Sequence, residues 1–351
     1  PTTSVGMTYH LMDRADAMIV EINEAQPAYL RGLHDVYMPQ RTPIPLIRSN
    51  QRIGTDAIDC DHRKIIGIVQ TQIPEYQESQ TVISRQYSVM AEHLCAFLYD
   101  EYADCQHTLP PIQTGFGAAA DAVAHAFRTA PFHDLHYFCG GVSEPVIQLL
   151  AEGKAASVST GGVVLNERVD ALLRDLDHLS DRFVLRNGDI TNSAEIVSRL
   201  GVVAINTGLE IDIYGNVNAS HISGSSVVNG IGGGADFAHN AGLSVIMIPS
   251  TAKDGAISCV VPMVSHQDIC EHDVDVVVTE HGLADVRGLD DIRRAEKIIT
   301  CCTSGVYQKQ LRDYLDRAIR ECKGHHPQLP LVAFGWYERL REKKTMVGEH
   351  L

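Results

Sequence analysis

Short runs rich in β-branched and aromatic residues alternate with longer stretches of helical periodicity, and this alternation constrains the chain more than anything else in it. Runs of strand length lie at 65–70, 135–139, 155–159, 202–206, 209–214, 243–248 and 274–279. Stretches of helical length lie at 84–101, 118–129, 145–152, 167–176, 193–200 and 306–322. Parallel strands need a crossover, and a helix supplies it, so the pattern predicts an α/β fold of βα units around mostly parallel sheets. At roughly 150 residues per domain, 351 residues suggest two domains.

Punctuation places the expected boundaries. Leu109-Pro110-Pro111 reads as the domain joint, dividing 1–108 from 109–324. A polar, Pro-bearing tail, 325–351, is expected to wrap a surface or a partner subunit. The stretch 39–45 holds three prolines and reads as an extended connector. Asn192-Ser193-x-Glu195 offers a cap for the helix that follows. A chain that opens on Pro1 and soon enters an apolar run at 17–22 reads as a fragment or a processed chain.

Charge narrows the partners. With 29 Lys and Arg against 44 Asp and Glu, the net charge is −15. That argues against nucleic acid or an anionic membrane, both of which need a dense basic face. No apolar run reaches the ~18 residues of a spanning helix, and the start does not read as a signal peptide. Nine cysteines without C-x-x-C spacing are expected to be reduced and mostly buried. That fits a cytoplasmic chain, or an organelle matrix in a eukaryote.

Asn229-Gly230-Ile231-Gly232-Gly233-Gly234 lets backbone N–H groups approach a ligand closely, as at phosphate or oxyanion sites. It has only the weak G-x-G-x-x-A form of a dinucleotide fingerprint, ending at Ala235. Glu210 and Asp212 alternate along one strand and share a face, as an acid–base pair or as capped structural carboxylates. Glu271-His272-Asp273 and Glu280-His281 bracket a strand without H-E-x-x-H spacing, so no metal site and no permanent cofactor is expected.

Several of these stretches together resemble the acetyl-CoA hydrolase/CoA-transferase family of the class I CoA-transferase superfamily. They are Ile205-Asn206-Thr207, Glu210-Ile211-Asp212-Ile213-Tyr214, Asn229-Gly230-Ile231-Gly232-Gly233, Ile257-Ser258-Cys259-Val260-Val261-Pro262 and the run from Glu271 to Leu289. With Pro43-Ile44-Pro45-Leu46 and Gln51-Arg52-Ile53-Gly54, the similarity covers nearly the whole chain, most nearly in the succinyl-CoA:acetate CoA-transferase manner. The resemblance implies two CoA-transferase-type domains, the first incomplete at its N-terminus. It also implies acyl-CoA as substrate with a carboxylate or other acyl acceptor, and a homodimer or a hetero-oligomer with a chain supplying the missing part.

In that family a glutamate in a Thr-Glu-x-x-x-Asp-Gly setting attacks the thioester and becomes glutamyl-CoA, which splits one hard transfer into two easier steps. Aligned without gaps, the glutamate falls on Gly140 and the Asp-Gly on Glu144-Pro145. Glycine has no nucleophile. The alternatives are Cys139 one residue away, Glu144 a helical turn on, or no replacement at all. Through Cys139 the chain would transfer or hydrolyse acyl-CoA. Through Glu144 it would act as a conventional succinyl-CoA:acetate-type CoA-transferase or acetyl-CoA hydrolase. Without a replacement there remain decarboxylation or a non-catalytic supporting subunit. By resemblance Asn192 hydrogen-bonds in the site, Phe116 and Gly117 offer backbone N–H groups toward the thioester oxygen, and Gly232 and Gly233 lie beside the thioester.

Overall fold

The computed structural model describes residues 2–77, 82–303 and 305–348. Pro1 and residues 349–351 of the expected tail lie outside the described residues. Two compact units emerge, Pro1–Val82 with Tyr99–Val203, and Ile83–Leu98 with Ala204–Leu351. The joint expected at 109–111 therefore lies inside the first unit, and residues 325–348 belong to the second.

In chain order the first part runs α1 (Thr8–Arg14), β1 (Met18–Asn23), β2 (His34–Asp35), β3 (Ile65–Thr71) and α2 (Arg85–Glu101). Next come β4 (Ile112–Thr114), α3 (Ala118–Thr129), β5 (Leu135–Cys139), α4 (Glu144–Ala151), β6 (Ala155–Thr160), α5 (Glu167–Arg174), α6 (Leu179–Arg182), β7 (Phe183–Arg186), α7 (Gly188–Thr191) and α8 (Ala194–Leu200). Within the first unit the strands lie in the order β4-β5-β6-β7-β2, every pair parallel. Both faces of such a sheet are covered, so its strands read as near-continuous apolar runs. Leu135, Tyr137, Phe138, Val158, Phe183 and Leu185 are all buried. β1 and β3 form a separate parallel pair.

The second unit holds β8 (Val203–Thr207) from Ala204 on, β9 (Glu210–Asp212), β10 (Val217–Asn218), β11 (His221–Ile222), β12 (Ser226–Val227), α9 (Gly234–Asn240) and β13 (Leu243–Met247). It continues with β14 (Thr251–Ala252), β15 (Ile257–Ser258), β16 (Val260–Val261), β17 (Val276–Thr279), β18 (Gly282–Asp285), α10 (Asp291–Cys302), α11 (Gly305–Glu321) and α12 (Pro330–Lys343). Its strands β8, β13, β17 and β18 are neighbours in that order, β13 and β17 parallel, β18 antiparallel at the edge. A three-stranded sheet, β10-β9-β16, packs into the same core.

Three expectations need correction. The tail is not polar throughout: α12 buries Ala333 and Trp336 in a core with Tyr307, Leu311 and Tyr314. Ser193 is the N-cap of α8, but its side chain makes no capping bond. Glu195 instead accepts from the Ile44 N–H at 3.1 Å and pairs with Arg199. Of the nine cysteines, all free thiols, only Cys139, Cys259 and Cys302 are buried.

Candidate functional site

The carboxyl ends of parallel strands are where open α/β sheets take up ligands. In the first unit these ends are glycine-rich: β4 runs into Gly115-Phe116-Gly117, β5 into Gly140-Gly141, and β6 into Gly161-Gly162. β7 leads through α7 to Asn192, its C-cap. Close approach explains two of the glycines. A Cβ on Gly161 would sit 2.6 Å from the Gly140 carbonyl oxygen, and one on Gly141 would sit 2.2 Å from the Phe116 ring. Gly140 differs. A Cβ there would meet nothing nearer than the Asn192 Oδ1 at 3.5 Å, an ordinary contact. The position has room for a side chain and carries none.

Residues from distant segments complete a cleft of about 410 Å³ around Gly140 and Phe116, lined also by Thr3, Ser4, Glu75 and residues 162–165. The segment near the start is pinned across the end of β6. Val5 N–H donates to the Gly161 carbonyl at 3.2 Å, Val163 N–H to the Thr3 carbonyl at 3.0 Å, and the Ser4 hydroxyl to the Gly161 carbonyl at 3.0 Å. Gln77 N–H donates to the Leu165 carbonyl at 2.8 Å, and the Thr3 hydroxyl donates to Glu75 at 3.1 Å. A carboxylate, Glu75, thus lines the cavity that holds Gly140.

Of the residues expected to act here, Asn192, Gly140 and Phe116 come together, Phe116 with 55% of its surface exposed. Gly117 is the N-cap of α3 at φ +103°, a backbone shape that suits glycine. Cys139 does not face the cleft's solvent. It ends β5 fully buried, its thiol donating to the Ile112 carbonyl at 3.5 Å, and burial pushes its pKa up to about 12. The attacking species is a thiolate, so this setting leaves Cys139 neither ionised nor accessible near neutrality. Glu144 is committed elsewhere. It opens α4, pairs with Arg168 at 2.9 Å and accepts from the Asn166 amide at 2.9 Å, tying α4 to the cap of α5.

Gly232 and Gly233 belong to the second unit. Gly232 has φ +57°, and Gly233 is the N-cap of α9. The Asn206 amide donates to the Gly234 carbonyl at 3.4 Å. Glu210 and Asp212 are both buried and structural. Glu210 accepts from the Asn218 amide, the Ser265 N–H at 2.9 Å and the Tyr337 hydroxyl at 2.6 Å. Sequence reasoning missed Thr3, Ser4 and Glu75, which sit in irregular segments without periodicity. The one signal it passed over was Gly161-Gly162, which repeats after β6 the glycine pair found after β5.

Residues 169–315 match the family model for the acetyl-CoA hydrolase/transferase C-terminal domain. The chain is 38% identical over 353 residues to a succinyl-CoA:acetate CoA-transferase of Clostridium kluyveri, covering 99% of this chain and 66% of that protein. It is 35% identical to an acetyl-CoA hydrolase of Neurospora crassa, covering 98% of this chain and 68% of that one. A solved 4-hydroxybutyrate CoA-transferase from Porphyromonas gingivalis shares the fold at TM-score 0.65 and 20% identity, over 90% of this chain and 70% of that one. The chain spans about two thirds of the length of these curated relatives. Identity of this level, sustained over nearly every residue, makes the chain a member of the acetyl-CoA hydrolase/CoA-transferase family of enzymes.

Proposed function

We propose that the chain binds an acyl-CoA thioester with its reacting carbonyl in the cleft at Gly140, and cleaves it without a glutamyl-CoA intermediate. The observation that supports this reading is Gly140 itself, a strand-end position where a Cβ would meet nothing nearer than Asn192 Oδ1 at 3.5 Å, and which falls where the gap-free alignment would expect the nucleophile. Glu75, on the wall of the same cleft, is a carboxylate available as a general base. In this mechanism water adds to the thioester carbonyl while Glu75 accepts its proton. The tetrahedral oxyanion is held by backbone N–H groups and by Asn192 once its amide turns to present Nδ2–H in place of the Oδ1 that faces Gly140, each such donor being worth ~2.7–4 kcal/mol. Collapse breaks the C–S bond, and the departing CoA thiolate recovers a proton. A carboxylate acceptor in place of water would give a free mixed anhydride, and the CoA thiolate, retained in the cleft, would attack its acceptor-derived carbonyl, forming the new thioester and releasing the donor's carboxylate.

Intact-protein mass spectrometry with a free-thiol assay, on acetyl-CoA and succinyl-CoA, tests this. Thiol release without any protein adduct is expected, falling at least tenfold in Asn192→Ala and in Glu75→Gln. A CoA-sized mass gain mapped to a glutamate would restore the conventional mechanism. Acyl-CoA binding with no thiol release would instead make the chain a supporting subunit.

A further inference from the structure

Away from the cleft, the second unit gathers two imidazoles and a carboxylate at the turn after β10. His221 opens β11, while His266 and Asp268 lie two residues apart beyond β16. Backbone bonds fix the two segments against each other. Val217 N–H donates to the Ile269 carbonyl at 2.9 Å, and the Asp268 and Ile269 N–H groups return to the Val217 carbonyl at 2.8 and 3.1 Å. Asn218 locks the His221 backbone from both sides, accepting from its N–H at 2.9 Å and donating to its carbonyl at 2.8 Å. The two rings lie with centroids 3.7 Å apart, and the ligand atoms of His221, His266 and Asp268 are all within 4.8 Å of one another.

Proton accounting orients the donors. Asp268 Oδ2 accepts from the Ala219 N–H at 2.7 Å and from the Ser220 hydroxyl at 2.6 Å. Ser220 has one proton, and a carboxylate takes it. The Ser220–His221 contact at 2.7 Å must then run from the imidazole Nδ1–H to the serine oxygen, which leaves the lone pair on Nε2. Asp268 Oδ1 faces the His266 Nε2 at 3.3 Å, longer than a well-made charge-assisted bond. A ligating histidine held by a hydrogen bond from its other nitrogen, and a carboxylate held by its other oxygen, is how metal sites are commonly supported.

We propose that His221, His266 and Asp268 form a binding site for a first-row divalent metal ion. Two imidazoles and one carboxylate suit Zn²⁺, Co²⁺ or Ni²⁺ better than Mg²⁺ or Ca²⁺, and three protein donors leave a coordination position for water or an oxygen ligand. The spacing-based expectation of no metal site looked only at neighbours in sequence, whereas these ligands come from two segments. The same turn carries the approach to the glycine loop. The Ser220 carbonyl accepts from Val228 N–H at 2.9 Å, and the Asn229 amide donates to the Ala219 carbonyl at 3.1 Å. A bound ion would stiffen residues 219–229. Cys270, Glu271 and His272 also cluster, but they are consecutive, and the His272 side chain is 78% exposed.

The full chain, stripped with chelator and dialysed, is titrated with Zn²⁺ by calorimetry and with Co²⁺ by visible absorption. One Zn²⁺ per chain is expected, with no competition from Mg²⁺ and a Co²⁺ d–d band that Zn²⁺ abolishes. His266→Ala should weaken binding more than tenfold. Ser220→Ala, which keeps all three ligands, should weaken it on the order of tenfold with an unchanged circular dichroism spectrum. His272→Ala should leave it unchanged. The proposal fails if the wild-type chain takes up no Zn²⁺, or if a His221→Ala/His266→Ala double variant that keeps the wild-type spectrum binds it as tightly.

Discussion

Gly140 and Gly161 touch across the ends of β5 and β6, yet substitution should separate them. Alanine at 161 drives a Cβ into the Gly140 carbonyl, which is backbone and cannot step aside, so Gly161→Ala should cost about 1–3 kcal/mol in urea unfolding. Gly140→Ala meets only ordinary contacts and restricts the unfolded chain, so its stability should stay within about 1 kcal/mol of wild type. Because the site has room, Gly140→Glu should fold and place a carboxylate opposite Asn192. After acetyl-CoA treatment its mass spectrum should then show a CoA-sized adduct that wild type lacks. A folded Gly140→Glu chain that turns over acyl-CoA with no adduct would show that this vacancy is not aimed at the thioester.

Among the elements, β9 shows how a side chain ends a strand. The apolar alternation at 209–214 predicts six residues, but the strand stops at Asp212. The reason is that Asp212 Oδ1 accepts from the N–H groups of Tyr214, Gly215 and Asn216, each at 3.0 Å, and turns the chain. Burial pushes this carboxyl up to about 6, so the bonds outweigh part of a real desolvation cost. Asp212→Ala strands three buried or half-buried donors and should cost about 1–3 kcal/mol in denaturant unfolding. Asp212→Asn keeps the acceptor and should cost less. Most strands and helices were legible because burial on both faces writes itself into continuous apolar runs: β5 and α3 match the sequence reading at both ends. α10 was passed over although Asp290 caps it, accepting from the Arg293 N–H at 2.9 Å, and Ala295, Ile298, Ile299 and Cys302 recur at helical spacing on its buried face. α12 was hidden by Pro330, which reads as a loop breaker but sits in the first turn, where its missing N–H has no partner to lose. The cleft was half legible. Its glycine pairs stand in the sequence, while Thr3 and Glu75 arrive through pairings more than 70 residues apart.

At the scale of the whole molecule, buried thiols make the fold sensitive to base. Burial raises the pKa of Cys139 and Cys259 to about 12 each, and partial burial does the same for Cys95. Unfolded, they release their protons near pH ~8.5. A raised folded-state pKa contributes stability that is complete below the unfolded value and is lost as pH rises toward the folded one. The urea midpoint should therefore hold below about pH 8 and fall steadily above about pH 9. A midpoint that stays flat up to about pH 10 would remove the argument. The last consequence belongs to the parallel ribbon of β1 and β3. Alternation puts Val20, Ile22 and Ile68 on one face and Ile19 and Val69 on the other, while Ile66 stands at a register shift, with Ile66 72% and Ile68 64% exposed. Among the described residues both of its strands are edges, offering open N–H and C=O groups beside greasy faces, the geometry that templates strand addition. The isolated chain should accordingly show sedimentation that depends on concentration, and Ile68→Lys should return it to one narrow boundary.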